Sequence, residues 1–388
     1  VTERRVPLSV LDLAPIVSGG TAGDALRNSL DLARHVEAAG YRRHWLAEHH
    51  FTPGVASAAP PLLIGQVAAA TTRIRVGSAA VQTGHQTPVS IVEQFGILDA
   101  LFPGRIDLGL GRSGPRRNEA LAQRAAATDR PNEARVVDGL LIPHEFSYKE
   151  LVKSSRVRLT YQLLQQAGAE APHYGKQVAE ILAMIEGSMC TSEGDPVHVV
   201  PGEGACVEVW VFGSSGGESA QAAGALGLPF TANYHVSPAT VLEAVDAYRA
   251  AFRPSRRHAA PYVCVSADVV VADDDATARR LASPYGLWVR SVRTGQGAIP
   301  FPTPEAAAAH VWSDDDRRLV SDRVDTQFVG TPDQVVAGLE TLVSVTGADE
   351  LVVTTITHEH EDRVRSHELL ARAWLPCADA PTPEAASS

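Results

Sequence analysis

Residues 41–51, YRRHWLAEHHF, decide how the rest of the chain is read. The run Tyr41–Ala47 is bounded by Gly40 on one side and Pro53-Gly54 on the other, which is the length and punctuation of a buried strand. Ahead of it, Leu26, Leu30, Leu32, Ala33 and Val36 form a helical pattern. The unit is therefore helix, tight turn, strand, and then Glu48-His49-His50 at the strand's C-terminal end. In parallel α/β architectures that end is where ligands sit. A neutral imidazole can take up a proton near neutral pH, provided that a neighbour orients it. Taken alone, the same residues also fit a structural pair, with Glu48 and one histidine tied to backbone.

Working outward, the pattern repeats. Leu8–Leu13 reads as a first strand that stops before Pro15, and Thr21 to Asp24 forms a capping box with Asp in place of Glu. The helix that it opens closes at Gly40, a C′ glycine. Pro60-Pro61 opens a second helix, Arg73–Thr83 is a third strand, Ile91–Leu101 a helix, and Ile106–Arg112 a fourth strand ending in Gly-Leu-Gly-Arg. Strands that alternate with helices in this way indicate βα units and a parallel sheet. From Ser113 to Gly204 the alternation breaks. Glu119–Ala127, Tyr148–Ala167 and Val178–Ile185 carry helical patterns and no buried strand is evident, so residues 116–204 read as a helical insertion after strand four. Such an excursion serves as a cap over the site, as an oligomer contact, or as a decoration without a site role.

Strand five is Val207–Phe212, followed by a helix to Leu226, and strand six is Pro229–Tyr234. Ser237-Pro238 looks like an N-cap with proline at N1 before a helix to Phe252. Tyr262–Ala272 is strand seven, followed by helices from Asp274 towards Arg293 and a Pro- and Gly-rich loop from Gly295 to Pro304. Thr331 to Gln334 is a capping box that opens a helix to Val345, Glu350–Ile356 is strand eight, and Arg363–Leu375 is the last helix. Eight strands, each followed by helix, predict an α/β fold of the (β/α)8 TIM-barrel type. We read residues 1–377 as a single domain and 378–388 as a flexible tail.

The chain has 388 residues and a net charge of −11, which argues against a nucleic-acid partner. No apolar stretch approaches a membrane span. Val1–Val10 has no signal-peptide pattern, and Cys190, Cys206, Cys264 and Cys377 show neither disulfide nor metal spacing. The expectation is a cytoplasmic protein that binds no metal.

Gly213–Ser219, GSSGGES, is the clearest ligand signal from physics alone. Glycines let backbone approach an anion, hydroxyls donate, and the following helix N-terminus adds partial positive charge, so phosphate is the natural guest. The segment is neither a Walker motif nor GxGxxG, and a plain glycine-rich turn is the bland alternative. Arg112, at the end of strand four, can supply a full positive charge, or sit in a surface ion pair. Glu218 would repel a dianion and is expected to face away from it. Ala79 and Ala80 are small residues at a strand end, where a flat ring can lie against backbone or where tight packing needs them. His358 and His360 alternate with Glu359 and Glu361, and read as a solvated turn rather than a metal site.

These segments occur in an order that carries a resemblance. AEHHF at 47–51, RIRVGSAAV at 73–81, PGRIDLGLGR at 103–112, GSSG at 213–216 with GLP at 227–229, and FVGTPDQV at 328–335 together resemble the bacterial luciferase-like flavin-dependent monooxygenases, in particular their single-chain, alkanal-monooxygenase-like branch. The resemblance spans roughly residues 6–112 and 205–375. It implies a TIM barrel that binds reduced FMN, delivered by a separate flavin reductase. It also implies a flavin C4a-hydroperoxide that inserts one oxygen atom into a small organic substrate. His49 corresponds to the family's catalytic histidine, and Ala79-Ala80 to its non-proline cis peptide beneath the flavin ring. Arg112, Ser215, Gly216 and Ser219 correspond to phosphate contacts. Glu48, His50, Gln82 and His85 are candidates for the substrate pocket, and the expected assembly is a homodimer.

Two departures bear on the substrate. Relatives often carry an apolar-Pro-Asn-His-Ala-Pro loop where this chain has Gln82–Pro88, QTGHQTP, and the insertion is long. Both point away from an aliphatic aldehyde and towards a bulkier, more polar-aromatic compound of the kind met in secondary metabolism. The competing functions are an F420-dependent oxidoreductase, which shares the barrel, and a flavin-binding protein without turnover.

Overall fold

A computed structural model describes residues 5–113, 133–148, 151, 154–165 and 173–375. Its strands are β1 Leu8–Asp12, β2 Arg43–Leu46, β3 Arg75–Ser78, β4 Val81–Gln82, β5 Ile106–Gly111, β6 Arg135–Val137, β7 Leu140–Ile142, β8 Glu208–Gly213, β9 Phe230–Asn233, β10 Val263–Val271, β11 Phe328–Gly330 and β12 Glu350–Thr354. β1, β2, β3, β5, β8, β9, β10 and β12 pair in parallel in that order, and β12 pairs with β1 to close the ring. This is the expected (β/α)8 barrel. No helix of the described residues is long and apolar enough to cross a membrane.

The two-residue period of a strand sorts side chains into an inside and an outside set. On β2, Leu46 packs outward among the barrel helices, while Arg43 and Trp45 point inward. On β8, Val209 and Val211 go outward, and Glu208, Trp210 and Phe212 inward. The inward residues form layers. At the N-terminal end Arg43 is 1% exposed and donates to Asp107 at 3.0 Å, Glu350 at 2.6 Å and Glu208 at 2.6 Å. Its guanidinium also lies 4.7 Å from the Trp210 ring. Above it, Trp45 meets Trp210 and Phe212 edge to face, with centroids 5.5 and 5.4 Å apart. Gly77 and Gly109 make room for this layer. A Cβ on Gly77 would stand 2.6 Å from the Trp45 ring, and one on Gly109 2.6 Å from the Phe212 ring.

Sequence signals hold at the helix starts. The Thr21/Asp24 and Thr331/Gln334 capping boxes form as read, at the heads of helices Ala22–Ala38 and Pro332–Thr346. Ser237 does not cap. Its side chain makes no such bond, and a short 3-10 turn, Pro238–Thr240, precedes the helix Val241–Ala251. The third strand is shorter than read, because a cis peptide at Ala79-Ala80 separates β3 from β4. The last helix starts earlier, at His360.

The 116–204 region needs two corrections. β6 and β7 form an antiparallel hairpin that the sequence reading missed, since β6 is largely exposed and has no apolar run to announce it. Helix Tyr174–Ile185 is no decoration. It packs between helices Pro88–Leu101 and Glu218–Ala225, as the barrel's own helix between β5 and β8. Helix Ser155–Leu164 falls within the expected Tyr148–Ala167 pattern. Glu119–Ala127 and the 378–388 tail lie outside the described residues.

Arg43→Ala would remove the one fully buried cation shared by the three carboxylates, leaving Asp107 and Glu208 to the half-buried Arg75 and Glu350 to the exposed Arg42. It is expected to lower unfolding free energy by about 3–5 kcal/mol in urea titrations. The neighbouring Arg42→Ala, with a side chain 44% exposed, is expected to cost less than about 1 kcal/mol. Equal costs for the two would show that the buried cluster is not what holds the barrel floor.

Candidate active site

A cavity of about 560 Å³ opens above the aromatic layer, at the C-terminal ends of the strands. Its volume falls in the range of small-molecule sites, roughly 300–1,000 Å³. Glu48, His49, His50, Ala79, Ala80, Gln82, His85, Arg112, Ser215 and Ser219 all line it, although they come from segments far apart in the chain. Gly216 does not reach the wall. It belongs to the same loop, and its N–H donates to Glu243 at 3.2 Å.

His49 presents its accessible face to the cavity. Surrounding protein lowers its pKa to about 4; Glu48 pushes it back up, and His50 adds to the depression. The ring is therefore neutral at pH 7, not the half-protonated imidazole that the ordinary value would give. No hydrogen bond ties either ring nitrogen to a protein group among the described residues, and the residue lines the cavity.

Beside it, Glu48 is 4% exposed and acts as a clamp. One oxygen lies 2.8 Å from His50 Nε2, the other accepts the Gln82 N–H at 2.9 Å, and the Glu48 carbonyl accepts from Gln82 Nε2 at 2.7 Å. Gln82 Oε1 lies 3.0 Å from His85 Nε2, and the His85 and His50 rings meet edge to face at 5.8 Å. Gln82 and His85 of the Gln82–Pro88 loop are thus tied to the His-His stretch.

The Gly213–Ser219 loop joins a strand to a helix. β8 runs into Ser214–Gly217 and then the helix Glu218–Ala225, with Arg112 across from it. A Cβ on Gly217 would stand 4.0 Å from an Arg112 terminal nitrogen, so the guanidinium faces the loop's backbone. Glu218 lies off the cavity wall, as expected, but it is not idle. Its carboxylate pairs with Arg112 at 3.1 Å and accepts the Tyr174 N–H at 3.1 Å. An anion in the loop would compete with Glu218 for the same cation.

A second cluster escaped the sequence reading. His235, at the end of β9, has Nδ1 2.5 Å from Ser266 Oγ on β10. Burial, with smaller contributions from the charges of Arg323 and His49, lowers its pKa to about 3. Asp268, on the same face of β10 as Ser266, accepts from the Tyr285 hydroxyl, which in turn accepts from Arg323. Burial raises the Asp268 pKa to about 6 against the pull of Arg323. His235, Ser266, Asp268 and Arg323 all line the cavity. The available signal was strand periodicity, because Asn233, His235, Ser266 and Asp268 fall at inward positions beyond the aromatic layer.

His358 and His360 diverge. His358 Nε2 lies 3.1 Å from the Ser18 carbonyl, and His360 Nε2 lies 2.9 Å from Asp31. No group of three or more His, Cys, Asp and Glu side chains among the described residues could hold a metal ion.

Residues 7–136 and 165–350 match the family described as luciferase-like monooxygenase. The chain belongs to that family. An E. coli (strain K12) luciferase-like monooxygenase is 34% identical over 95% of this chain and 97% of its own length. The uncharacterized Bacillus subtilis (strain 168) protein YvbT is 37% identical over 95% and 96%. The crystal structure of apo-MsnO8 superposes with a TM-score of 0.75 at 30% identity, covering 96% of this chain and 98% of that one. This luciferase-like monooxygenase is accordingly an oxidoreductase with a flavin-type cofactor.

In the ligand-free protein, His49 and His235 are expected to stay neutral well below the ordinary histidine pKa. Imidazole NMR titration, assigned with His49→Gln and His235→Gln, should place their midpoints near pH 4 and 3. A midpoint above 6 for either, close to the unperturbed value of about 6.5, would contradict the electrostatics described.

Proposed function

We propose that this protein is an FMN-dependent monooxygenase that transfers one atom of dioxygen to a small organic substrate. One observation carries the reading: a phosphate cradle, a ledge of small residues and an accessible neutral histidine share a single cavity wall. Arg112, the Ser215 and Ser219 hydroxyls and the helix N-terminus at Glu218 would hold the phosphate. Ala79 and Ala80 would lie against the ring, and Phe212 and Leu11 supply apolar wall. When bound, reduced FMN supplies the electrons that activate dioxygen.

The remaining work falls to the chain. His49, neutral at pH 7, can donate a proton from one ring nitrogen and accept one at the other without a prior ionisation. The Glu48 clamp fixes the loop that carries it. The cavity walls limit the water that would divert activated oxygen to hydrogen peroxide. In this reading a separate reductase supplies reduced FMN to a cytoplasmic homodimer. A cluster of wall cations long enough for a polyanionic tail is not what supports the choice of cofactor. The support is Arg112 beside the Ser214–Gly217 loop, one cation where one phosphate would sit. Titration with FMN and with F420, followed by oxygen consumption on reduction, separates the FMN enzyme from an F420-dependent oxidoreductase and from a binding protein without turnover.

Arg112→Ala is expected to weaken FMN binding by one to two decades and riboflavin binding little. The lost contact is a charge-assisted bond to phosphate, about 1.5–3 kcal/mol. Equal loss for both ligands would remove Arg112 from the phosphate site. Glu218→Gln, which frees Arg112 from its competing carboxylate, is expected to tighten FMN binding.

His49→Ala is expected to bind FMN as the wild type does, because its contacts lie away from the cradle. Oxygenation should fall by about 10²–10⁴-fold, the usual contribution of a positioned acid–base group, with peroxide released in place of product. Product and peroxide yields per reduced FMN are the measurement, and full coupling in the variant would exclude His49 from proton transfer.

A further inference from the structure

Among the described residues, two of the three arginines on the cavity wall pair with carboxylates. Arg112 pairs with Glu218, Arg323 with Asp268 at 3.6 Å, and Asp322 with Arg293. Arg156, from helix Ser155–Leu164, also lines the cavity. Its guanidinium has no carboxylate partner among the described residues, and Glu145, a carboxylate on the same wall, forms no ion pair with it. It is held instead by two backbone carbonyls, with Nη2 2.6 Å from the Phe51 oxygen and Nη1 3.4 Å from the Gly295 oxygen. The seat is shaped for it: a Cβ on Gly297 would stand 2.8 Å from Arg156 Nη2.

Carbonyl oxygens fix the fork but neutralise none of its charge. A guanidinium has five N–H donors in a planar array that matches a carboxylate or sulfonate, and these two bonds leave donors over. The nearby wall is apolar, with Leu151, Leu164, Trp288, Val292 and Ala298, which lowers the local polarity and strengthens any pairing. The Phe51 carbonyl that anchors Arg156 lies two residues beyond His49, so an anion seated here would also bear on the loop that carries the proposed acid–base group.

We propose that Arg156 is a substrate-recognition residue, and that the substrate is an organic anion whose carboxylate or sulfonate docks on it while its apolar body lies in the cavity. This inference rests on the monooxygenase reading for the role of the bound molecule, but the anion preference itself can be read without flavin.

The test uses the full chain and two probes of one shape, 4-phenylbutanoate and 4-phenylbutan-1-ol. Binding is followed by tryptophan fluorescence and calorimetry. Inorganic phosphate fills the Arg112 cradle in one arm and FMN in another, and a third arm contains neither. The expected result is that wild type binds the carboxylate about ten- to hundred-fold tighter than the alcohol. Arg156→Gln, which keeps a polar side chain but removes the charge, should bring the two affinities together, and Arg156→Lys should restore part of the difference. The preference should also weaken with added salt. The proposal is overturned if wild type shows no preference, or binds neither probe. It is overturned equally if the preference survives in Arg156→Gln, or vanishes when phosphate occupies the Arg112 cradle. Absence of FMN binding alongside an intact anion preference would instead overturn the cofactor reading and leave the subsite standing.

Discussion

Everything above the barrel floor depends on where Arg43 sits. Its guanidinium joins β2 to β5, β8 and β12 through Asp107, Glu208 and Glu350. Burying one cation with three carboxylates is costly in itself, and the benefit lies in what it excludes. A register slip of one residue on any of these strands would turn its partner outward and strand a charge in the apolar shell between sheet and helices. With the lowest layer pinned, the period of two places Trp45 and Trp210 in the next layer. Ala47, Ala79, Gly111 and Phe212 then fall at the cavity.

The fold was legible because its signals are local. Capping residues, strand punctuation and alternating βα units need no knowledge of distant contacts, and they located each barrel strand to within a few residues. The Gly213–Ser219 loop and the His-His stretch were legible as segments at strand C-terminal ends for the same reason. His235, Asp268 and Arg323 were not. β10 is buried along its whole length, so its polar positions read as interruptions and not as a face. Arg323 lies in DDDRRLVSDRV, which reads as a solvated charged helix, and the Tyr285 hydroxyl that holds it is 38 residues away. The pairing of Glu218 with Arg112 spans 106 residues. Such interactions belong to closure of the ring, and short-range patterns do not report them.

The cavity pairs Arg112 and Arg323 with carboxylates and keeps His49 and His235 neutral, and the two facts have one origin. Protein on most sides makes an isolated charge expensive, so the carboxylates and guanidinium groups arrange themselves in pairs and His49 and His235 give up their protons. A neutral acid–base group suits oxygen chemistry, where a fixed cation would attract water and a fixed anion would hold no proton to give.

The arginine cluster and the aromatic layer have one more consequence. Together they fill the barrel at its N-terminal end, so the cavity is a cul-de-sac. Whatever binds there enters and leaves at the C-terminal ends of the strands, where the cavity opens. Traffic through a shared mouth has an order. The ligand seated deepest arrives first and departs last, and a substrate lodged at the mouth becomes a stopper that keeps the reduced ring from bulk solvent. Selectivity and protection of the reactive centre are then the same event, and a poor fit at the entrance is felt as wasted oxygen further in.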